Sequence, residues 1–315
     1  MNLFNQCDFL LNAEACVYYI FLIILFLIFF ILVFFFVLIE RKILGVCQSR
    51  LGPNKVSFIG VLQSLADFIK LGGKINLTFG SSSNFNYRGL FYMLGILYFL
   101  LGALIFINFF LNSLINGSMG GVFVCWLIVI SSLSGYGFIL CGWGSSSKYS
   151  LFGSMRSSFS GITFEGCLMC IVLTLGLLNS GYNFFYFNNN YDFFLIFSCF
   201  FIYILSIISF LCECNRSPFD FSESESDLVS GFNTDYYGLG FAILFACEYA
   251  IMVFFSWLLG FLFFSNIFNT LMMFFHSFLL IFVRACFPRF RYDYFVSFFW
   301  KNVFIIFFLF ILGLI

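Results

Sequence analysis

The stretch Phe193-Phe-Leu-Ile-Phe-Ser-Cys-Phe-Phe-Ile-Tyr-Ile-Leu-Ser-Ile-Ile-Ser-Phe-Leu-Cys212, followed at once by Glu213-Cys-Asn-Arg-Ser-Pro-Phe-Asp220, decides the fold. Its first part is about 20 residues without a charge, the length an α-helix needs to cross a hydrocarbon core of about 30 Å. It lacks the period-2 alternation of a barrel strand. Its backbone must therefore satisfy its own hydrogen bonds, which makes it a transmembrane helix. Its second part sets an arginine and two carboxylates against the end of that helix.

Runs of the same kind recur near residues 18–39, 90–111, 121–141, 162–179, 193–212, 238–264, 268–287 and 295–315. The expected fold is an all-α membrane protein of about eight transmembrane helices, with residues 1–315 forming a single polytopic domain. Composition agrees: 63% of residues are hydrophobic and 9% charged, against roughly 25% charged in soluble domains.

The 14 basic residues all follow odd-numbered spans. Arg41, Lys42, Arg50, Lys55, Lys70, Lys74 and Arg88 follow the first, Lys148 and Arg156 the third, and Arg216 the fifth. Arg284, Arg289, Arg291 and Lys301 lie at and after the end of the seventh. The opposite loops, 112–120, 180–192 and 265–267, carry none. The positive-inside rule then places the connections after odd spans inside and both termini outside.

Two inner segments read as amphipathic interfacial helices. In 58–74, Phe58, Leu62, Leu65 and Ile69 recur at helical spacing opposite Gln63, Asp67, Lys70 and Lys74, after a Gly52-Pro53-Asn54 turn. A shorter stretch around Leu151, Phe152, Met155 and Phe159, with Lys148 and Arg156, repeats the pattern. Surface anchoring is the plain explanation of both.

Acidic residues do not follow the orientation rule, so their placement needs another cause. Only Asp8, Glu14 and Asp192 belong to the outer side. Glu165 is expected one turn into span four, Glu213 at the inner end of span five, and Glu248 about ten residues into span six, near the midplane at a rise of about 1.5 Å per residue. Intramembrane carboxylates are costly and commonly mark proton or ion paths. In the loop after span five, Glu213, Asp220, Glu223, Glu225 and Asp227 surround Arg216, a crowding that raises carboxylate pKa values toward the range of a proton relay. The same residues also suit a solvated acidic loop, although Phe219, Leu228, Val229 and Phe232 point to a segment folded against protein. In 284–294, arginines alternate with Phe287, Phe290, Tyr292 and Tyr294, a composition suited to an amphipathic headgroup or to simple anchoring. Most of the 12 cysteines stand singly in apolar runs, and Cys167 with Cys170 has no second pair, so no metal site is expected. His276 lacks an acidic neighbour at helical spacing and is expected to be a packing residue.

Several motifs carry a resemblance. Glu40-Arg-Lys-Ile-Leu-Gly45, Arg50-Leu-Gly-Pro-Asn54, Leu65-Ala-Asp-Phe-Ile-Lys70, Asn215-Arg-Ser-Pro-Phe-Asp220, residues 223–233, Pro288-Arg-Phe-Arg-Tyr-Asp293 and Trp300-Lys-Asn302 occur in an order and spacing covering nearly the whole chain. The chain resembles the subunit 1 family of the mitochondrial proton-pumping NADH:ubiquinone oxidoreductase, respiratory complex I. The resemblance implies a multi-pass subunit of the mitochondrial inner membrane, with basic loops on the matrix side and termini on the intermembrane-space side. It would form the entrance of a ubiquinone chamber and the start of a carboxylate proton path of Glu165, Glu213, Asp220, Glu223, Glu225, Asp227 and Glu248. The implied quinone-binding set is Arg41, Arg216, Arg284, Phe232 and Phe245.

Ubiquinone would be substrate, with metal, flavin, iron–sulphur clusters and the NADH site left to other subunits. Implied partners are the peripheral quinone-module subunits on the inner loops, small membrane-arm subunits and lipids, with no nucleic acid. Asp227 and Asp235 stand where the family usually has glutamate, which would turn a direct hydrogen bond into a water-bridged one. Two other readings stay open: a secondary transporter, against which the lack of inverted repeats counts, and the docking subunit of a hydrogenase-like complex.

Overall fold

The computed structural model describes residues 31–74, 93–98, 100–102, 123–145, 147–178, 200–221, 231–264 and 269–314. Among them every regular element is helical. Helix α1 runs through residues 31–47, α2 through Gln63–Gly72, α3 within Met93–Gly102, α4 through Phe123–Gly144, α5 through Lys148–Leu178, α6 through Phe200–Glu213, α7 through Gly238–Phe263 and α8 through Asn269–Cys286. Helix α9 starts at Tyr292–Phe298, continues through a π turn at Phe299–Val303, and ends as Phe304–Leu314. Among the described residues, three stretches are long and apolar enough to cross a membrane: Lys148–Leu178, Gly238–Phe263 and Tyr292–Gly313. Much of the other expected spans falls outside the described residues.

Helix α7 is apolar on every face, which suits a helix enclosed by others. Its most apolar window is 89% buried, against 22% for α9, so α7 is the spine and α9 a flank. Three rings lock it to its neighbours. Phe255 of α7 stacks on Phe210 of α6 at 4.9 Å and meets Phe164 of α5 edge-on at 5.6 Å. Such pairs contribute about 0.5–1.5 kcal/mol each beyond area burial.

Helix α5 corrects one expectation. The segment around Leu151, Phe152, Met155 and Phe159 is no separate interfacial helix but the first half of a continuous 31-residue helix. Glu165, expected one turn into a span, lies near its middle. The side chains are also reversed relative to a soluble amphipathic helix: Ser150, Ser154, Ser157, Ser158 and Ser160 are buried, whereas the large apolar residues of that segment are exposed. Each of these hydroxyls donates to the carbonyl three residues earlier, as Ser157 does to Ser154 at 2.9 Å, so burying it leaves no donor unmet. Small residues let membrane helices approach closely while bulky ones face outward.

That approach is tightest at Gly142 of α4, where an added Cβ would lie 1.8 Å from Ser154 Oγ. Gly60 is constrained differently. It holds φ +77° and a Cβ there would meet the Pro53 carbonyl oxygen at 2.3 Å, closing the turn before α2 that the sequence places at 52–54. Lys42 Nζ donates to the Ile59 carbonyl at 2.6 Å and ties this turn back to α1.

Replacing Gly142 by Val is expected to force α4 and α5 apart and reduce the folded, membrane-extracted protein severalfold. Gly135→Val, at a position with open space beyond its Cα, should be tolerated. Comparing monodisperse yield for the two variants in size-exclusion chromatography tests this.

Candidate functional site: a buried charge network beside a cavity

Helix α6 ends at Glu213, and Asn215 then takes the left-handed conformation, φ 47°. Asparagine tolerates this region better than most residues, which makes it a natural helix stop. The reversal turns Arg216 inward. Its Nη2 donates to Glu248 Oε2 at 3.3 Å, with both side chains almost fully buried. The guanidinium lies 4.3 Å from the Tyr249 ring centroid and 5.3 Å from that of Phe245, positions that favour cation–π attraction.

The network continues past Tyr249, whose ring meets Phe36 of α1 edge-on at 6.0 Å, one helical turn before Glu40. Glu40, only 2% exposed, accepts a hydrogen bond from Arg284 Nη1. Charges of alternating sign, Glu248, Arg216, Glu40 and Arg284, thus bracket one tyrosine ring. Buried carboxylates are tolerable only when paired and hydrogen-bonded. In a low-dielectric setting, a proton or charge added at one member is felt strongly by the next.

A cavity of about 490 Å³ adjoins this network. Its walls are Val33, Phe34 and Val37 of α1, Phe68 and Leu71 of α2, and Phe241, Ala242, Phe245 and Ala246 of α7. Its polar rim is Arg41, Ser64, Asp67, Lys70 and Lys74. Arg41 Nη1 donates to Asp67 Oδ2 at 2.7 Å, and Gln63 Nε2 donates to the other oxygen at 3.0 Å. The polar stripe of α2 therefore faces the cavity, while Leu65 and Ile69 remain exposed. Phe245 belongs to both places, lining the cavity and covering Arg216.

The remaining expected residues are dispersed. Asp220 pairs with Arg289 at 3.0 Å, and Phe219 stacks on Phe290 at 5.7 Å, so the start of the loop folds against 287–295 as its aromatic content suggests. Glu213 is buried at the end of α6; Glu165 is half-buried and makes no ion pair among the described residues. Phe232 is fully buried edge-on to Phe138 and does not line this cavity. Glu223, Glu225 and Asp227 lie outside the described residues. Asp235 makes a direct hydrogen bond, accepting from the Ser147 backbone N–H at 3.2 Å at the start of α5. There a negative charge also suits the helix dipole. His276 is fully buried; Nδ1 donates to the Met272 carbonyl at 2.6 Å, so Nε2 accepts from the Tyr203 hydroxyl at 2.8 Å. That is the packing role expected of it, with a partner that helical spacing alone does not reveal.

Sequence reasoning missed Glu40, Tyr249 and Asp67 as members of the site. Glu40 precedes Arg41 and Lys42 and merges with that topogenic cluster. Its one distinguishing signal is its position at the C-terminal end of an apolar run. Among the described residues, no three His, Cys, Asp or Glu side chains gather as metal ligands would.

The model of a family described as NADH dehydrogenase matches residues 20–315. The chain is 40% identical over 273 residues to NADH-ubiquinone oxidoreductase chain 1 of Locusta migratoria and 38% identical over 272 residues to that of Aedes aegypti; in both, 84% of each chain is covered. Similarity to the protein of the same name from Heterololigo bleekeri is 37% over 277 residues, 85% of this chain and 86% of that one.

Glu248→Gln strands a guanidinium that cannot lose its proton, whereas Arg216→Met leaves a carboxylate that can gain one. The first should therefore destabilise more, by about 3–5 kcal/mol. The double variant should cost less than the sum of the two. Thermal unfolding midpoints of the three solubilised variants measure both effects, and strict additivity would deny the coupling.

Proposed function

The chain belongs to the NADH-ubiquinone oxidoreductase chain 1 family, and from that premise we propose that it couples quinone binding in the α1–α2–α7 cavity to proton movement through the Glu248 network. As a family member it is a membrane subunit of the respiratory complex I, the H+-translocating NADH:ubiquinone reductase, and works among the other subunits of that assembly. Membership in a multisubunit family favours this reading over a free-standing transporter.

The observation that carries the proposal is the double duty of Phe245, one ring that lines the cavity and lies over Arg216. A headgroup entering between Arg41 and Phe245 would meet aromatic walls suited to a quinone ring and a polar rim suited to its carbonyl oxygens. Displacing Phe245 alters the environment of Arg216, and hence the free energy of a proton on Glu248. This is a linkage between two sites through a shared wall. Arg284 acts from the far end by holding Glu40, on the same helix as Phe36, whose ring packs on Tyr249.

In the proposed topology about eight spans place the basic loops on the matrix side and both termini on the intermembrane-space side, within a single domain. Helix α2 lies at the interface, its exposed Leu65 and Ile69 toward lipid or partner and its polar stripe toward the cavity. Glu165, Glu213, Asp220, Glu223, Glu225 and Asp227 would extend the proton path, with Phe232 behind the loop that carries it. The inner loops would receive the peripheral quinone-module subunits. Ubiquinone is the proposed substrate, with flavin and iron–sulphur clusters held elsewhere in the assembly.

Phe245→Ala in the assembled enzyme should raise the apparent KM for a short-chain quinone about fivefold, the scale of one lost aromatic contact. Glu248→Gln should leave that KM near wild type while lowering protons translocated per NADH oxidised. Proton uptake by reconstituted vesicles, read beside NADH oxidation, separates the two. Normal pumping by an intact Glu248→Gln assembly rules out the relay.

A further inference from the structure

A second cavity, of about 590 Å³, shares no lining residue with the first. Its apolar walls come from the inner end of α6, the end of α8 and the segment that follows, with Leu211, Val283, Phe287 and Phe290 prominent. Its other wall is one side of α9: Tyr294, Ser297, Phe298, Lys301 and Asn302. An ammonium, an amide and two hydroxyl-bearing side chains thus follow one another down a single helix face, opposite hydrocarbon.

Three further observations bear on what this site takes. The π turn spans Phe299–Val303, where Phe304 N–H bonds the Phe299 carbonyl; π turns are rare and concentrate at functional sites. This one carries Lys301 and Asn302, part of the Trp300-Lys-Asn302 motif, which the proposed quinone and proton roles do not use. The nearby arginines are committed, Arg284 to Glu40, Arg289 to Asp220 and Arg291 to Asp293. Lys301 has no ion pair among the described residues. Finally, Tyr294 and Trp300 are well exposed just before the wholly apolar Phe304–Leu314. Exposed tyrosine and tryptophan at the foot of an apolar helix mark the level of lipid headgroups.

We propose that this cavity binds one anionic phospholipid, its phosphate held by Lys301 with Asn302 and Tyr294 and its acyl chain lying against Val283, Phe287 and Phe290. The exposed Lys301 ammonium attracts anions, and at the headgroup level of a bilayer the phosphate is the anion supplied by the solvent itself. The long lysine stem lets the charge reach that level while its methylenes stay in apolar surroundings. The inference is independent of quinone occupancy at α1–α2–α7.

The assembled complex, reconstituted in phosphatidylcholine vesicles doped with a diazirine-tailed lipid, provides the test. Photolabelled phosphatidylglycerol should attach within residues 283–302 several times more than the matching phosphatidylcholine probe, and unlabelled phosphatidylglycerol should compete. Lys301→Gln should cut the preference about fivefold, the equivalent of about 1 kcal/mol for one basic residue at an anionic surface, and Lys301→Arg should retain it. Should Lys301→Gln fail to assemble, the competition between the two lipids in the wild-type complex decides alone. Equal labelling by both probes would reduce the cavity to unselective lipid contact and overturn the proposal. So would a carboxyl-to-amine crosslink joining Lys301 to a neighbouring subunit, which would make the groove a protein interface.

Discussion

A carboxylate in the middle of an enclosed apolar helix is the constraint around which much of this chain is arranged. Glu248 sits about 15 Å along α7, counted at 1.5 Å per residue, with protein on every side. A lone charge there would cost several kcal/mol. The compensation is Arg216, and much of the neighbouring structure serves to deliver it: the left-handed Asn215, the abrupt end of α6, and the ring contacts of Phe219 and Phe221 with Phe290, Tyr292 and Phe295. The Tyr249 and Phe245 rings then cover the guanidinium. Stability and the capacity to respond to charge are thus built from the same residues.

Helix α7 was the most legible element, expected at 238–264 and observed at Gly238–Phe263, because a long apolar run between Asp235 at one end and Ser265-Asn266 at the other leaves little choice of length or class. The importance of Glu248 was equally plain, since an acid at that depth has few bland explanations. Its partner was visible only as an arginine within an acidic loop. The pair spans 32 residues, and no periodicity within one helix predicts a contact made by a reversal at Asn215. The cavity was legible in its parts, the polar stripe of α2 and Arg41, but not in its closure. Resemblance supplied Phe245 and Arg41 where composition could not.

The misreading of α5 has a physical source. Amphipathicity as learned from soluble proteins puts large apolar residues inward, whereas between helices in lipid there is no hydrophobic gain to collect, and close contact of small side chains takes over. Ser150, Ser154 and Ser157 therefore mark the packed face, and Leu151, Phe152 and Met155 the outward one. The same pattern of residues reads as an interfacial helix under one rule and as the packed half of a long helix under the other.

The Glu40–Arg284 contact joins residues 244 positions apart, and this separation has a consequence for biogenesis. A ribosome feeding the chain into the membrane releases Glu40 early, long before Arg284 exists to receive it. Until α8 follows, that carboxylate lacks the partner it has in the finished fold. The clasp therefore closes only on a chain whose late helix is in place, and a product truncated before residue 284 lacks one half of it.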